Sequence, residues 1–393
     1  MRKFRIIGGG FSGLTLAWRL VKAGHAVEIF EMSHRWGGLI GTELNAWGMS
    51  EQAANALLNS SRVEELAKDI GVELLPSGNL SKKRYILKNG QIRKWPLSFL
   101  GTLRFIFGVF KYIFNKDKCQ PKTHDGLDKF VSSIFGAEFF TYFISPALRG
   151  IFATDEVSPL LLARSMQTKA HKSHSGIKGS VSPRNGMIDL IYRLVVYLEK
   201  AGVVMHLNST GEIDPRYTNI VCTDAHSASV LLAPFHLESA KTLAAVKYKS
   251  LTSVTVAYKE ADHKTRGFGI LFAKTEGLNS LGVLLNNCIF DNRGPYWTET
   301  YMFDTKDLSD KSLLEKTKQD RKKLFNTDTN PEHYKVYVWP KAVPVYNHTI
   351  AQIMDEIELP EYVYLHGNYL GHIGLQKILN RSYLLAEELI GAE

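Results

Sequence analysis

Apolar and polar positions alternate along the chain in blocks that name their own elements. Lys3 to Ile7 is a short apolar run of strand character. Gly8-Gly9-Gly10-Phe11-Ser12-Gly13 follows and opens an apolar helix that runs to about Ala23. Gly24-His25 turns the chain into a second strand, Ala26 to Phe30, which ends on Glu31. The period changes from strand to helix and back within thirty residues, which predicts a βαβ unit.

Further along, Leu39 to Glu43 reads as a strand, and Trp47-Gly48 as a turn into Met49 to Leu58. Ser61-Arg62-Val63-Glu64 has the form of a capping box, with Val63, Leu66, Ala67 and Ile70 on one helical face and Gly71 as the stop. Lys83 to Leu87 and Gln91 to Trp95 flank Asn89-Gly90, the signature of a hairpin. Asp125 to Phe135 and Ala137 to Phe152 predict two helices, Lys169 to Ser182 a mobile polar crossover, and Met187 to Lys200 another helix. Gly202 to Leu207 and Ile220 to Thr223 suit a parallel sheet. Thr252 to Tyr258, Gly269 to Phe272, Leu281 to Leu285 and Thr298 to Phe303 suit an antiparallel one. A charged helix over Asp304 to Phe325, a strand at Tyr362 to Leu365 and a closing helix from Leu375 to Ile390 complete the pattern.

Trp95 to Phe114 departs from ordinary patterning. Aromatic and aliphatic residues crowd it around only two charged residues, Arg104 and Lys111, and Lys116 and Lys118 follow. Two cations in mid-span and Pro96 argue against a helix that crosses a bilayer. The segment either packs inside a helical domain or lies in a membrane interface, and its aromatic density favours the interface.

The resulting fold class is α/β: a discontinuous Rossmann-like dinucleotide-binding domain, an antiparallel-sheet substrate domain and a helical membrane-binding domain. The dinucleotide domain is assigned residues 1–80, 183–242 and 338–393, the substrate domain 81–94 and 243–337, and the helical domain 95–182. The 393 residues, 45% hydrophobic and 22% charged, describe an ordinary globular chain of two or three domains. A net charge of +9 suits an anionic partner, whether acidic lipid or a polycarboxylate, and no nucleic-acid motif accompanies it. Cys119, Cys222 and Cys288 are too scattered for a metal site or a redox pair, which suggests structural thiols in a reducing compartment. The first strand starts so near Met1 that no signal peptide is expected.

The glycine turn carries the first chemistry. In G-x-G-x-x-G after a strand, Gly8 permits the tight turn, Gly10 lets backbone N–H groups approach a pyrophosphate, and Gly13 lets the helix pack on the strand. Ser12 stands in the same turn at the positive end of the helix dipole. Glu31, 18 residues past Gly13, can accept hydrogen bonds from a ribose. Glu31-x-x-x-Arg35-x-Gly37-Gly38 resembles the two-dinucleotide-binding-domain flavoproteins of the amine oxidase type, which implies FAD, with Arg35, Gly37 and Gly38 near its pyrophosphate and flavin.

Taken end to end, the chain resembles the protoporphyrinogen oxidase family of heme (porphyrin) biosynthesis. The similarity rests on Lys83-Arg84-Tyr85-Ile86, Pro146 to Ala153, Gly267 to Leu271, Leu281-Gly282-Val283-Leu284 with Phe290-x-Asn292-Arg293, Trp339-Pro340-x-Ala342-Val343-Pro344-x-Tyr346, and Gly367 to Gly371. The resemblance implies that Arg84 holds a propionate, that Asn55 lies near the macrocycle, and that Leu271 and Leu281 sandwich its rings. It further implies that Trp339, Gly367, Asn368 and Ile373 border the flavin; His372 fits either a flavin contact or an ordinary loop histidine. No catalytic side chain and no metal set is assigned. The family departures are Gln52, Ala53, Thr154-Asp155-Glu156 and Arg381-Ser382.

The implied activity is that of a flavoprotein oxidoreductase: oxidation of protoporphyrinogen IX to protoporphyrin IX, with molecular oxygen as acceptor. The expected placement is cytoplasmic, as a peripheral protein of the inner membrane with a membrane surface as partner; the resemblance also allows a homodimer. Coproporphyrinogen III is the alternative substrate. A flavin-dependent mutase of nucleotide sugars and a non-catalytic porphyrin-binding flavoprotein are the rivals from other classes.

Overall fold

The computed structural model describes residues 3–115, 126–167, 172–371 and 373–391, so Lys116, Lys118, Cys119 and His372 lie outside the described residues. In chain order the main elements begin with β1 (Lys3–Ile7), α1 (Phe11–Lys22), β2 (Ala26–Glu31), α2 (Ser61–Ile70), β3 (Arg84–Lys88), β4 (Gln91–Arg93) and α3 (Phe99–Phe114). They continue through α4 (Leu127–Phe135), α5 (Ser145–Phe152), α6 (Met187–Lys200), β5 (Val204–Leu207), β6 (Thr218–Val221) and α7 (Ala225–Leu232). The last are β7 (Tyr248–Tyr258), β8 (Gly269–Phe272), β9 (Gly282–Leu285), β10 (Trp297–Phe303), α8 (Asp310–Phe325), β11 (His333–Pro344), β12 (Val363–Leu365) and α9 (Leu375–Gly391).

Five strands form a parallel sheet in the order β5-β2-β1-β6-β12. Helices cover it on both sides, which is why its strands are apolar on both faces. Phe4, Ile6, Ile29 and Ile220 pack under α1, α6 and α9 with Trp18, Leu194 and Leu385. Ile7, Val221 and Leu365 face a second core with Leu232, Leu243 and Ile350.

Seven strands form the other large sheet, in the order β11-β7-β10-β9-β8-β3-β4. Sequence patterning predicts an antiparallel sheet, but β8 and β3 run parallel, with Gly269 opposite Arg84 and Leu271 opposite Ile86. The reason is topological: the β3–β4 hairpin comes from far upstream and docks on an edge left open by β8. Its Asn89-Gly90 turn has both residues at positive φ, 52° and 69°, as a two-residue hairpin requires. One face of this sheet, with Leu87, Val254, Tyr301 and Phe303, is sealed by Leu313 and Leu324 of α8. The opposite face looks toward the parallel sheet, and there Ser253 Oγ donates to the Gln52 carbonyl at 3.0 Å.

Several boundaries move for identifiable reasons. The strand expected over Leu39 to Glu43 starts three residues later, as Thr42–Asn45 paired with Gly48–Glu51. Ser60, not Ser61, caps α2, accepting from Val63 N, and so Glu64 is not the acid of a capping box. Ala137 to Phe152 is interrupted by a π-helical stretch, Phe140–Ile144, just before Pro146. Residues 172–182 are tied down: Glu64 accepts from Ser173 Oγ, Ser175 Oγ and His174 N, and Ser180–Pro183 pairs with Leu57–Leu58 and Leu74–Pro76.

The segment 95–114 forms α3, capped by Ser98, whose N–H and hydroxyl are both held by Glu138. It is not a core helix. Only Gly108 is buried, because a Cβ there would sit 2.4 Å from Ile134 O of α4. The Phe105 and Phe139 rings lie 4.4 Å apart, tilted by 31°, while Phe99, Phe107 and Phe114 are 79%, 69% and 78% exposed. No helix among the described residues is long and apolar enough to cross a membrane.

Burial opposes the Glu64 charge, but the hydrogen bonds from Ser173, Ser175, Asn59 and His174 outweigh it and hold the carboxyl down to about 2. A depressed folded pKa contributes stability above pH 4.5, the ordinary value, that is lost as the pH falls through about 2. Glu64→Gln is therefore expected to lower thermal stability at neutral pH and to converge with the wild type near pH 2. A gap between the two melting temperatures that stays constant with pH would contradict this.

Candidate functional site

A cleft of about 780 Å³ opens at the carboxyl edge of the parallel sheet. The sheet order reverses between β1 and β6, and ligands of such sheets bind outside the carboxyl ends at that reversal. Gly8, with φ of 112°, bends the chain out of β1, and its N–H bonds Phe30 O at 2.8 Å. Gly13 lies under the turn: a Cβ there would come within 2.0 Å of Gly8 O. Gly10 differs, since a Cβ would meet only Gly38 Cα at 3.9 Å and otherwise project into open cleft. Gly37 N bonds Gly9 O at 2.8 Å, so the loop of Gly37 and Gly38 lies directly on the turn. Gly10 is the N-cap of α1, and no side chain caps that helix. Its first N–H groups and its dipole therefore favour an anion in the cleft.

Glu31 lines the cleft, with Oε2 accepting from Gly9 N and Oε1 from Ser33 N, both at 2.8 Å. The carboxylate braces the turn and keeps lone pairs for a ribose hydroxyl. Arg35 lines the cleft as expected. Its guanidinium also donates to Gly38 O at 2.6 Å and Ile40 O at 2.8 Å, so it shapes the glycine loop. Ser12, Trp339, Gly367 and Asn368 also line the cleft. Gly13 supports it from below, and Ile373 packs against the second core and is not among the residues that line the cleft. Leu375 and Ile378, at the start of α9, take the wall where Ile373 was expected.

Past Trp339 the cleft meets the seven-stranded sheet. Trp339 Nε1 and Ser253 Oγ both donate to Gln52 O at 3.0 Å, which pins the 50–55 loop between the two sheets. Beside it, Arg293 donates to Glu51 at 3.2 Å and Ser182 Oγ at 2.7 Å, with all three side chains buried. Burial pushes the Glu51 carboxyl up, opposed by the Thr42 hydroxyl and by Arg293. Asn55 borders a narrow gap with Asn286, Phe290 and Arg293.

The remaining expected residues gather at β3, β8 and β9. Gly282 lies opposite Leu271, and Phe272 N bonds Leu281 O at 3.3 Å, so Leu281 stands across from Phe272 and alternation puts it on the other face of the sheet from Leu271, not beside it as expected. Leu271 is half-buried and Leu281 buried. By strand alternation Arg84, Ile86 and Leu271 share the face that looks toward Gln52, as does Met302 opposite Gly282. Arg84 is exposed, its guanidinium 4.6 Å over the Phe268 ring.

Sequence reasoning did not single out Lys341 and Asp224, which pair at 3.3 Å on the cleft wall, nor the Glu51–Arg293 bridge. Asp224 carried a readable sign, since it caps α7 directly after β6. Lys341 is the variable residue of Trp339-Pro340-x-Ala342, where alternation along β11 alone gave no role.

The departures from the family pattern have local partners. Ser382 is fully buried and its hydroxyl bonds Thr15 Oγ1 at 2.9 Å and His366 Nε2 at 2.8 Å, tying α9 to α1. Asp155 accepts from Ser145 Oγ and Lys274 Nζ.

A sheet of this order with a side-chain-free anion cradle, an acid at the end of β2 and a second sheet facing the cleft is a flavin-binding architecture. The sequence profile of flavin containing amine oxidoreductases matches residues 11–354, and the chain belongs to that family of oxidoreductases. Among curated proteins it is similar to protoporphyrinogen oxidase 1 of Arabidopsis thaliana chloroplasts, 24% identical over 98% of this chain and 87% of that one. Among solved structures it superposes on a candidate protoporphyrinogen oxidase of Exiguobacterium sp. 255-15, with TM-score 0.79, 16% identity and coverage of 100% and 99%. A reduced UDP-galactopyranose mutase shares the fold at TM-score 0.76 and 11% identity, covering 100% and 94%.

FAD is the cofactor, and the cleft fits it: an uncapped helix end and open space at Gly10 for pyrophosphate, Glu31 for the ribose, and Trp339 at the far end. Gly10→Ala is expected to leave the melting temperature of flavin-free protein unchanged but to cut bound flavin sharply, read as the flavin-to-protein absorbance ratio. Gly13→Ala should lower both, by about 1–3 kcal/mol in stability, because helix and turn must separate. Full flavin occupancy in Gly10→Ala would contradict this assignment.

Proposed function

We propose that the chain oxidises protoporphyrinogen IX to protoporphyrin IX, with oxygen as acceptor, as a step of heme biosynthesis. The observation that carries the reading is the face bearing Leu271, Ile86 and Met302, apolar and edged by the exposed Arg84, next to the end of the flavin cleft at Trp339. A flat apolar ring system with acidic substituents is what such a surface suits. Similarity to chloroplast protoporphyrinogen oxidases along 98% of the chain supports it independently.

FAD held by the Gly10 turn and Glu31, with Trp339 on the cleft wall, would supply the redox chemistry, a two-electron acceptor for the substrate that oxygen can reoxidise. The protein binds and orients. Leu271, Ile86 and Met302 give the macrocycle an apolar platform. Arg84 offers a planar fork to a propionate and stays charged throughout. Gln52, held through its carbonyl by Trp339 and Ser253, fixes the gap between flavin cleft and platform. No acid–base residue is needed at the carbon centre, because protons exchange between pyrrole nitrogens and water.

The reading is tested by following porphyrin fluorescence and oxygen consumption with protoporphyrinogen IX and coproporphyrinogen III side by side. Turnover of the first, with Arg84→Ala weakening binding by about 1.5–3 kcal/mol, is the expected result. Turnover of coproporphyrinogen alone would move the function to that substrate. A yellow, porphyrin-binding protein that consumes no oxygen would make it a carrier.

We infer further that α3 rests in a lipid interface, at the cytoplasmic face of the inner membrane. Its exposed Phe99, Leu100, Phe107, Phe110 and Phe114, interspersed with Arg104 and Lys111, form the apolar and cationic pattern of an interfacial helix. The double variant Phe107→Asp, Phe110→Asp should lose more than tenfold in partition onto vesicles containing anionic lipid, since each buried Phe contributes about 1.5–3 kcal/mol. Equal sedimentation of variant and wild type with vesicles would refute it.

A further inference from the structure

Arg149 of α5, like Arg84, is a guanidinium beside the platform that forms no ion pair among the described residues. It is half-buried, and among the described residues its one hydrogen bond is from Nη1 to the backbone carbonyl of Phe272 at 3.2 Å. Two carboxylates stand nearby, and each is engaged elsewhere. Asp155 accepts from Lys274 Nζ at 2.6 Å and Ser145 Oγ at 2.5 Å, and Asp304 pairs with Lys249 at 3.2 Å. Burial pushes the Arg149 pKa down, with Asp155 and Asp304 opposing it only in part. A guanidinium has five N–H donors in a rigid fork, and four of them remain for a ligand. Half-buried charges without a counterion are costly, which makes such a group a ready anion site.

Its position gives the anion an identity. The next residue, Gly150, is exposed and lies against Leu271: a Cβ there would be 2.7 Å from Leu271 Cδ2. Arg149 therefore borders the same platform as Arg84, from the opposite end of β8. Arg84 lies across from Gly269, and Arg149 is held by the carbonyl of Phe272, three residues on. The two anchor points stand about 10 Å apart along the strand. Between them lies Leu271.

We propose that Arg149 binds a second carboxylate of a planar tetrapyrrole whose first carboxylate is held by Arg84, so that the pair selects substrates by the number and spacing of their acidic arms. This rests on the porphyrinogen reading given above. The sequence offered no such residue beyond Arg84, because Arg149 sits on a helix remote in the chain from β3.

The test is the binding of protoporphyrin, coproporphyrin and protoporphyrin dimethyl ester to the flavin-loaded protein, measured by quenching in one detergent. Arg149→Gln should bind both free acids at least tenfold more weakly, with the larger loss for the tetra-acid, and bind the uncharged ester as the wild type does. Arg149→Lys, which keeps the charge, should retain most of the affinity. Flavin absorbance and melting temperature report whether each variant is folded. Unchanged affinity for the acids, or an equal loss for acids and ester, would overturn the proposal, the latter showing that Arg149 only ties α5 to β8. If the wild type bound no porphyrin at all, this proposal and the porphyrinogen reading would fall together; if it bound porphyrin and Arg149→Gln matched it, this one alone would fall.

Discussion

Two stretches of bare backbone touch at the carboxyl edge of the parallel sheet, and the site exists because neither carries a side chain there. A Cβ on Gly38 would come within 3.3 Å of Gly10 Cα, and one on Gly13 within 2.0 Å of Gly8 O. Glycine costs stability wherever it is ordered, so such a run persists only where close approach is needed. Around it the chain spends polar side chains on backbone. Glu31 takes the Gly9 and Ser33 N–H groups, and Arg35 takes the Gly38 and Ile40 carbonyls. The cradle is thus rigid before any ligand arrives, which reduces the ordering cost of binding.

From that cradle the second sheet is positioned through one carbonyl and one buried ion pair. Gln52 O receives two donors from β7 and β11, and Arg293 reaches across to Glu51 and Ser182. Pairs of this kind contribute little net stability after desolvation, but they fix the geometry of what they join. The helical region is joined to the platform as well, through Gly150 on Leu271 and Arg149 on the Phe272 carbonyl. The helical region that carries the exposed aromatic residues of α3 and the sheet face next to the flavin cleft therefore belong to one continuous packing arrangement.

Local signals made much of this legible in the sequence. The βαβ unit, the glycine turn and Glu31 were readable because a strand, a helix and an acid recur at fixed offsets, and the Asn-Gly hairpin because only residues tolerant of positive φ suit its turn. Non-local pairings were not readable. The parallel contact of β3 with β8 joins segments far apart in the chain, and nothing in either strand's pattern declares direction. Ser60 and Ser61 are equal as cap candidates until Val63 N chooses one. That Arg35 braces the glycine loop was not readable, because spacing does not show which carbonyls a guanidinium reaches, and Leu375 and Ile378 were not singled out because the register of a turn is set by its neighbours. Residues 95 to 114 showed their apolar density plainly, but which side was covered depended on Gly108 meeting the Ile134 carbonyl, a tertiary contact.

The central claim joins two things, a glycine-lined cleft that holds FAD and a sheet face that brings a tetrapyrrole to it. The most direct measurement is the visible spectrum of the purified protein during anaerobic addition of protoporphyrinogen IX. The account predicts a yellow protein whose flavin bands bleach as porphyrin absorption grows, with the six-electron oxidation of one substrate reducing about three flavins. Flavin bands that stay unchanged while porphyrinogen remains unoxidised would contradict it.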